Sequence, residues 1–187
     1  MGKLLNLIAV LLLLTSCSST GCLENQSSLP LAGFYSSRTQ EGIAIDSLQV
    51  WGVGAPGDSM LVDGVARNTY LPLRSSMEIA SFCFHYDQKE LSSPLLNDTI
   101  TLSYSSQPRF VSEECGAMYF YEIKTLQHTC HLIDSVVLVQ PEVNNIDRET
   151  MRIYFRTAEP VDDGEDDNDD DETGDTGADQ DTETEQS

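Results

Sequence analysis

Two short motifs place cysteine beside histidine at a spacing that could support chemistry. Cys83 and His85 are two residues apart, as are His128 and Cys130, so each pair shares a face if its segment is a β-strand. Two thiolates and two imidazoles together form the ligand set of a tetrahedral zinc site. The alternative is a disulfide between Cys83 and Cys130 with surface histidines beside it. The spacing matches no established zinc motif, so we favour the disulfide and expect no metal.

The start of the chain has the pattern of an export signal. Lys3 precedes an apolar run at residues 4–14, and small residues then lead to Cys17. The run is too short for a membrane span, which needs about twenty apolar residues. The four residues ending at Cys17 resemble the lipobox of bacterial lipoproteins, which implies that residues 1–16 are removed and that Cys17 is acylated. Ser18, in place of Asp, implies sorting to the outer membrane.

Lipidation of Cys17 leaves four cysteines in an oxidising compartment, where two disulfides are the default. Four cysteines allow three connectivities. We favour Cys22–Cys115 together with Cys83–Cys130. The first bond would tie the N-terminal segment to the middle of the chain, a contribution of about 4 to 5 kcal/mol in the chain-entropy model.

Charge divides the chain into a body and a tail. Residues 158–187 contain fifteen Asp and Glu, no Lys or Arg, and no aromatic residue. They cannot bury enough apolar surface to offset the entropy of ordering, so we predict a disordered acidic tail. It would serve as a solvated spacer, a weak cation binder or an electrostatic handle for a basic partner. The predicted organisation is a signal peptide at 1–16, a lipidated segment at 17–41, a β-sandwich at 42–157, and the tail.

The body alternates apolar and polar residues and predicts an all-β fold. We expect a single antiparallel β-sandwich, Ig-like or Greek-key, of about seven to nine short strands. Gly52-Val-Gly-Ala-Pro-Gly57 matches a dinucleotide-binding pattern by its letters, but Pro56-Gly57 predicts a hairpin loop instead. The clearest strand-like segments are 42–51, 81–86, 99–104, 117–126, 131–139 and 151–155.

Four Asp-Ser/Thr-aliphatic tripeptides resemble the acceptor motif of envelope O-glycosylation in Bacteroidota. The acceptor hydroxyls would belong to Ser47, Ser59, Thr99 and Ser135. The alternative is ordinary turn chemistry at the start of a strand. The chain lacks a Gly-x-Ser-x-Gly nucleophile elbow. We therefore predict a protein that is not an enzyme, with no catalytic residue and no cofactor.

A set of short sequences distributed along the body is also informative. It comprises Cys22-Leu-Glu-Asn-Gln, Pro30-Leu-Ala-Gly-Phe-Tyr-Ser, Ile45-Asp-Ser-Leu, Gly52-Val-Gly-Ala-Pro-Gly-Asp-Ser, Leu71-Pro-Leu and Phe110-Val-Ser-Glu-Glu-Cys-Gly. Together these resemble an uncharacterised Bacteroidota lipoprotein family of unknown function, over residues 17–157. Cys22 and Cys115 match cysteines of that family, which supports their pairing. The resemblance implies an envelope role, beside an outer-membrane barrel.

These features predict a lipid-anchored, non-enzymatic accessory subunit at the outer membrane, on its periplasmic or surface face. Its partners would be the membrane, through the anchor, and an outer-membrane β-barrel or another envelope protein, with no nucleic acid. The alternative is a carbohydrate- or small-ligand-binding module with an aromatic stacking platform. A flat exposed apolar patch would favour the protein partner, and exposed aromatics beside a concave surface would favour the ligand. The candidate platform residues are Trp51, Tyr35, Tyr70, Tyr119 and Tyr121.

Overall fold

The structure, a computed structural model, describes residues 27–54, 60–113 and 115–157. The predictions for Cys17, Cys22, Ser59, the signal peptide and the acidic tail fall outside these residues. The chain divides after Thr157 into two units, and every described residue belongs to the first.

Strands make up most of the described residues, which contain no α-helix and a single 3-10 turn at Pro94–Leu96. The strands are β1 (Leu31–Ser36), β2 (Ile45–Gly52), β3 (Met60–Ala66), β4 (Asn68–Tyr70), β5 (Ile79–Tyr86), β6 (Asp98–Ser112), β7 (Gly116–His128), β8 (Ile133–Leu138), β9 (Glu142–Val143) and β10 (Glu149–Phe155).

The strands form two sheets, as the all-β sandwich prediction requires. One sheet has six strands in the order β3-β2-β5-β6-β7-β9, and each neighbouring pair in it is antiparallel. The other has four strands in the order β4-β1-β10-β8. The neighbouring strands of this sheet are antiparallel except for β1 and β10, which are parallel. A parallel pair needs a long crossover, and the residues between these two strands, which include the whole six-stranded sheet, supply it.

The sandwich begins earlier in the chain than residue 42, where the sequence places its start. Leu31–Ser36 forms β1, a central strand of the four-stranded sheet. Ala32, Phe34 and Ser36 point inward on alternate positions and are buried. Residues 31–36 therefore belong to the sandwich, whose start was placed too late in the sequence.

Side chains from both sheets meet in one core. Phe34 and Phe155 of the four-stranded sheet pack edge to face, with ring centroids 5.3 Å apart. Tyr86 of β5 packs against Phe155 in the same manner at 6.4 Å. Buried residues of the two sheets form a single apolar cluster, the arrangement expected of face-to-face sheets.

The glycine-rich sequence after Trp51 lies where a hairpin loop was predicted. β2 and β3 are antiparallel neighbours, and Trp51 pairs with Met60. A dinucleotide-binding turn belongs to a parallel strand–helix–strand unit, whereas β2 and β3 are antiparallel, so the dinucleotide-binding interpretation of Gly52–Gly57 fails. Residues 55–59 of the loop lie outside the described residues.

Candidate interaction site

The pair of longest strands, β6 and β7, extends past its neighbours. β5 pairs with β6 only as far as Ser103, and β9 pairs with β7 only at Tyr121 and Glu122. Within the described part of the chain, residues 107–112 therefore pair with residues 116–120 and with no other strand. We call this two-stranded extension the arm.

One side of the arm is apolar and open to solvent. Pro108 lies opposite Tyr119, and Phe110 lies opposite Ala117. Because side chains alternate along a strand and align across it, these four residues share a side, which we call the apolar face. Phe110 is 71% exposed and Tyr119 is 47% exposed. Tyr121, two residues further along β7, belongs to the buried core, so the apolar face continues the core-facing side of the sheet.

Tyrosine hydroxyl groups brace the base of the arm. The Tyr104 hydroxyl donates to the carbonyl of Arg74 at 3.0 Å and accepts from the N–H of Arg74 at 3.1 Å. The Tyr121 hydroxyl donates to the carbonyl of Leu73 at 3.3 Å, and burial raises the pKa of Tyr121. The two rings pack edge to face at 5.7 Å. These hydrogen bonds therefore fix the base of the arm to residues 73–74, in the segment that follows β4.

The tip of the arm is covalently tied. Cys115 is disulfide-bonded, and its partner lies outside the described residues. Its N–H donates to the Ser112 hydroxyl at 3.1 Å, and Gly116 turns the chain into β7 with a φ of +67°, which glycine adopts without strain. The Cys22–Cys115 pairing stays a prediction, because Cys22 is not among the described residues.

The opposite side of the arm borders a shallow groove of about 370 Å³. The Arg109 guanidinium lies over the Phe120 ring, 5.8 Å from its centroid. Glu122 pairs with Lys124 at 2.5 Å. The groove thus combines one aromatic ring with polar groups of both charges, and its principal lining residues are Gln107, Arg109, Phe120, Glu122, Gln140 and Glu142.

The predicted Cys83–Cys130 disulfide is wrong, since both residues are free thiols. Cys83 of β5 lies opposite Thr99 of β6. Thr129 is the residue before Cys130. Its backbone N–H donates to the carbonyl of the same Thr99 at 3.0 Å, on the side of β6 that faces away from β5. Two strand spacings separate the cysteine backbones by about 10 Å, beyond the roughly 7 Å that a disulfide spans.

The alternative Cys2His2 zinc site is not assembled either. The described residues contain no group of three His, Cys, Asp or Glu side chains placed to hold a metal ion. His85 Nδ1 instead meets Asn97 Oδ1 at 2.8 Å. Cys130 lies 3.6 Å from the Nδ1 of its neighbour His128. The intervening β6 keeps the two pairs apart.

A buried carboxylate anchors the crossing from β7 to β8. Asp98 has no exposed surface, and it accepts hydrogen bonds from the Tyr86 hydroxyl at 2.9 Å and the Thr129 hydroxyl at 2.9 Å. The backbone N–H groups of His131 and Ile133 each donate to it at 2.8 Å, as does that of the residue between them. Burial acts to raise the pKa of Asp98, but these hydrogen bonds outweigh it and the net pKa is lowered. In the sequence, Asp98 is the acidic residue of the tripeptide that contains Thr99, for which turn chemistry at the start of a strand was the alternative.

The described glycosylation candidates all lie at strand starts and are half-buried. Ser47 has a φ of +52° at an irregularity of β2, and its N–H bonds the Asp46 carboxylate at 2.7 Å. Thr99 follows the buried Asp98, and Ser135 lies opposite Tyr154. This geometry fits turn chemistry, and modification stays a prediction.

The five aromatic residues proposed as a stacking platform do not form one surface. Tyr35 and Tyr70 lie in the four-stranded sheet, where their hydroxyls donate to Glu149 and Asp147 at 2.6 and 2.9 Å. The remaining three are in the six-stranded sheet, where Tyr121 is buried and Tyr119 lies on the arm. Trp51 neighbours His85 on β5, with ring centroids 6.3 Å apart.

Comparison with known proteins completes the description of the chain. No helix among the described residues has the length and hydropathy to span a membrane. No curated protein and no solved structure matches the chain. A family model described as "Family of unknown function (DUF6452)" matches residues 47–155, a range that contains the arm and most of both sheets. Because this match spans more than half of the chain, the protein belongs to that family of unknown function.

Proposed function

We propose that this chain is a lipid-anchored, non-enzymatic protein of the cell envelope that acts as an accessory subunit of an outer-membrane complex. The observation that carries the proposal is the apolar face of the arm. The lipobox-like sequence ending at Cys17 supports the anchor, and the resemblance to a Bacteroidota lipoprotein family supports the envelope.

The apolar face suits a protein partner better than water. Isolated two-stranded ribbons are marginally stable, and this one exposes Phe110 and Tyr119 at its middle. A partner that covers the face would bury two aromatic rings, the residue type most often responsible for interface energy. The face continues the core-facing side of the sheet, whereas the groove lies on the other side of the arm.

The disulfide at Cys115 supports the same proposal. If its partner is Cys22, the arm tip is joined to a point five residues from the lipidated Cys17. An extended chain covers at most about 3.6 Å per residue and a disulfide adds about 6 Å between Cα atoms, so the tip would lie within roughly 24 Å of the anchored residue. The apolar face would then be presented next to the membrane, where an integral outer-membrane protein is reached most easily.

The test is purification from the native envelope. The tagged protein is crosslinked in cells, purified, and its companions are identified by mass spectrometry. The proposal predicts that one membrane protein is recovered together with the tagged protein, in a stoichiometric amount. Recovery of the protein alone, at the same crosslinker dose that captures a known envelope complex, would contradict it.

The groove on the other side of the arm supports a second candidate, binding of a carbohydrate or small ligand. Phe120 and the flanking Gln107, Gln140 and Glu142 provide a ring and planar polar groups of the kind that hold sugars. Thermal-shift screening against oligosaccharides tests it. A hit abolished by Gln107→Ala and retained by Gln49→Ala, on the distant β2, would support this candidate.

A further inference from the structure

The two edges of the arm differ in their capacity to form hydrogen bonds. Pro108 of β6 lies opposite Tyr119 of β7, and proline has no N–H. Pro108 and Tyr119 are therefore a non-hydrogen-bonded pair of the ladder, and the pairs on either side, which include Gln107–Phe120, exchange the bonds. The next pair of the same type is Phe110–Ala117. It follows that the N–H and C=O groups of Ala117 and Tyr119 point away from β6.

The edge of β7 to which these groups point is only partly covered. β9 pairs with Tyr121 and Glu122, and the N–H of Ile123 donates to the carbonyl of Pro141 at 2.9 Å. The same alternation places Ile123, Tyr121, Tyr119 and Ala117 on this edge in turn. No strand in the described ranges continues past Tyr121 to cover the last two.

The edge of β6 is protected in the way that natural sheets protect their edges. Pro108 sits on it without a donor, at the centre of the exposed segment. The β6 edge of the arm therefore lacks the donor at Pro108, whereas the β7 edge keeps both of its donors. An exposed sheet edge with free donors and acceptors is the site at which an extended peptide adds as a strand.

We propose that an extended segment of the partner protein adds to the arm as a strand along Ala117–Phe120 of β7, in line with β9. This inference rests on the proposed function and names the contact that the accessory subunit makes. Ala117 and Tyr119 would supply two donors and two acceptors to the added strand.

The chemistry of the two sides specifies the added segment. Its side chains on one side would lie next to Tyr119, at the apolar face, and should be apolar. Those on the other side would enter the groove near Glu122 and Glu142, both exposed. Because Arg109 and Lys124 lie there as well, the groove carries both charges, and the segment is an extended stretch that alternates apolar with polar residues.

A pair of variants isolates the backbone contribution. Tyr119→Pro removes the edge donor, and it leaves the β6–β7 bonds intact because Tyr119 bonds no group of β6. Tyr119→Ala removes the same ring and keeps the donor. In purification from crosslinked envelopes, we expect the amount of partner recovered with Tyr119→Pro to be at least tenfold lower than the amount recovered with Tyr119→Ala. Equal recovery with both variants, each shown folded by circular dichroism, would overturn the inference.

Hydrogen exchange resolves which molecule occupies the edge. The Ala117 and Tyr119 amides should exchange fast in the isolated mature protein and at least about tenfold slower in the purified complex. Unchanged exchange in an intact complex would overturn the added strand and leave the accessory-subunit proposal standing. Protection in the isolated protein that disappears when residues 18–26 are deleted would assign the edge to the chain itself. Protection that rises with protein concentration would assign it to a second copy, and either result would overturn the inference.

Discussion

At the scale of single residues, Asp98 shows how a polar group can be central to an apolar sandwich. Its carboxylate receives donors from β5 and from the β7–β8 connection, and it is fully buried. A buried charge is tolerated only when its acceptor capacity is satisfied, and here both oxygens are. The local signal for this role is weak, because the three backbone donors are 33 to 35 residues away in sequence.

Replacing Asp98 should cost more stability than replacing any surface carboxylate. Asp98→Asn turns one acceptor oxygen into an NH2 donor that faces existing N–H donors, so we expect a loss of about 3 kcal/mol in the free energy of unfolding. Urea denaturation measures it. The matched control is Asp134→Asn, which breaks an exposed pair with Arg156 and should change stability by no more than about 0.5 kcal/mol. Similar losses in both variants would contradict this role.

The same carboxylate predicts a pH dependence with a definite sign. The pKa of Asp98 is lowered below its ordinary 3.8 in the folded protein, so folding is stabilised by the ionised form. Its contribution is fully present above pH 3.8 and is lost as the pH falls through the folded-state pKa. The stability difference between the wild type and Asp98→Asn should therefore stay constant from about pH 5 to 8 and shrink below pH 4. A difference that grew on acidification would refute this assignment.

The two free thiols should differ sharply in reactivity. Burial raises the pKa of Cys83, which is 8% exposed, whereas Cys130 is exposed. We expect an aromatic disulfide reagent to modify Cys130 rapidly and Cys83 only after denaturation. Cys130→Ser should remove the rapid phase. Failure of both thiols to react in the native and denatured protein would restore the Cys83–Cys130 disulfide.

At the scale of elements, alternation in the sequence predicts the strands that carry a buried stripe and misses those defined by distant partners. Phe82, Phe84 and Tyr86 mark β5 plainly, and the structure buries all three. β1 was missed because Gly33 interrupts its pattern. The Tyr35 ring and the Glu149 carboxylate occupy the space that a side chain at Gly33 would need, and Glu149 is 116 residues away in sequence.

Of the two strands that form the arm, the sequence predicted most of β7 but only the first part of β6. The predicted segment ended at Tyr104, whereas β6 continues to Ser112 through Pro108, and a proline ordinarily argues against a strand. The pairing of Pro108 with Tyr119 at an edge position removes that objection, and only the structure shows it. Likewise, the sequence suggested joining Cys83 and Cys130 but did not show that β6 runs between them.

The brace at the base of the arm gives a prediction at this scale. Tyr104→Phe removes a hydroxyl that both donates to and accepts from Arg74. We expect a loss of about 1 to 2 kcal/mol in the free energy of unfolding and faster exchange of the arm amides. Tyr119→Phe, at an exposed position of the arm, is the control and should have little effect. Unchanged arm exchange in Tyr104→Phe would mean that the hydroxyl does not hold the arm.

At the scale of the whole molecule, the sandwich and the acidic tail should be energetically separate. Phe155, the last buried residue of the described chain, precedes the division after Thr157. Deleting residues 158–187 should shift the Tm of the body by less than about 2 °C. Differential scanning calorimetry of the two proteins provides the comparison. A larger drop would show that the tail contributes to the fold.

If the apolar face of the arm meets a partner in the envelope, site-specific photocrosslinking should capture that partner. A photoreactive amino acid is placed in living cells at Phe110, which is 71% exposed on the arm, or at Val65, which is 69% exposed on β3. We expect position 110 to yield one discrete crosslinked membrane protein and position 65 to yield none of it. No adduct at position 110, or the same adducts from both positions, would show that the apolar face is not the contact.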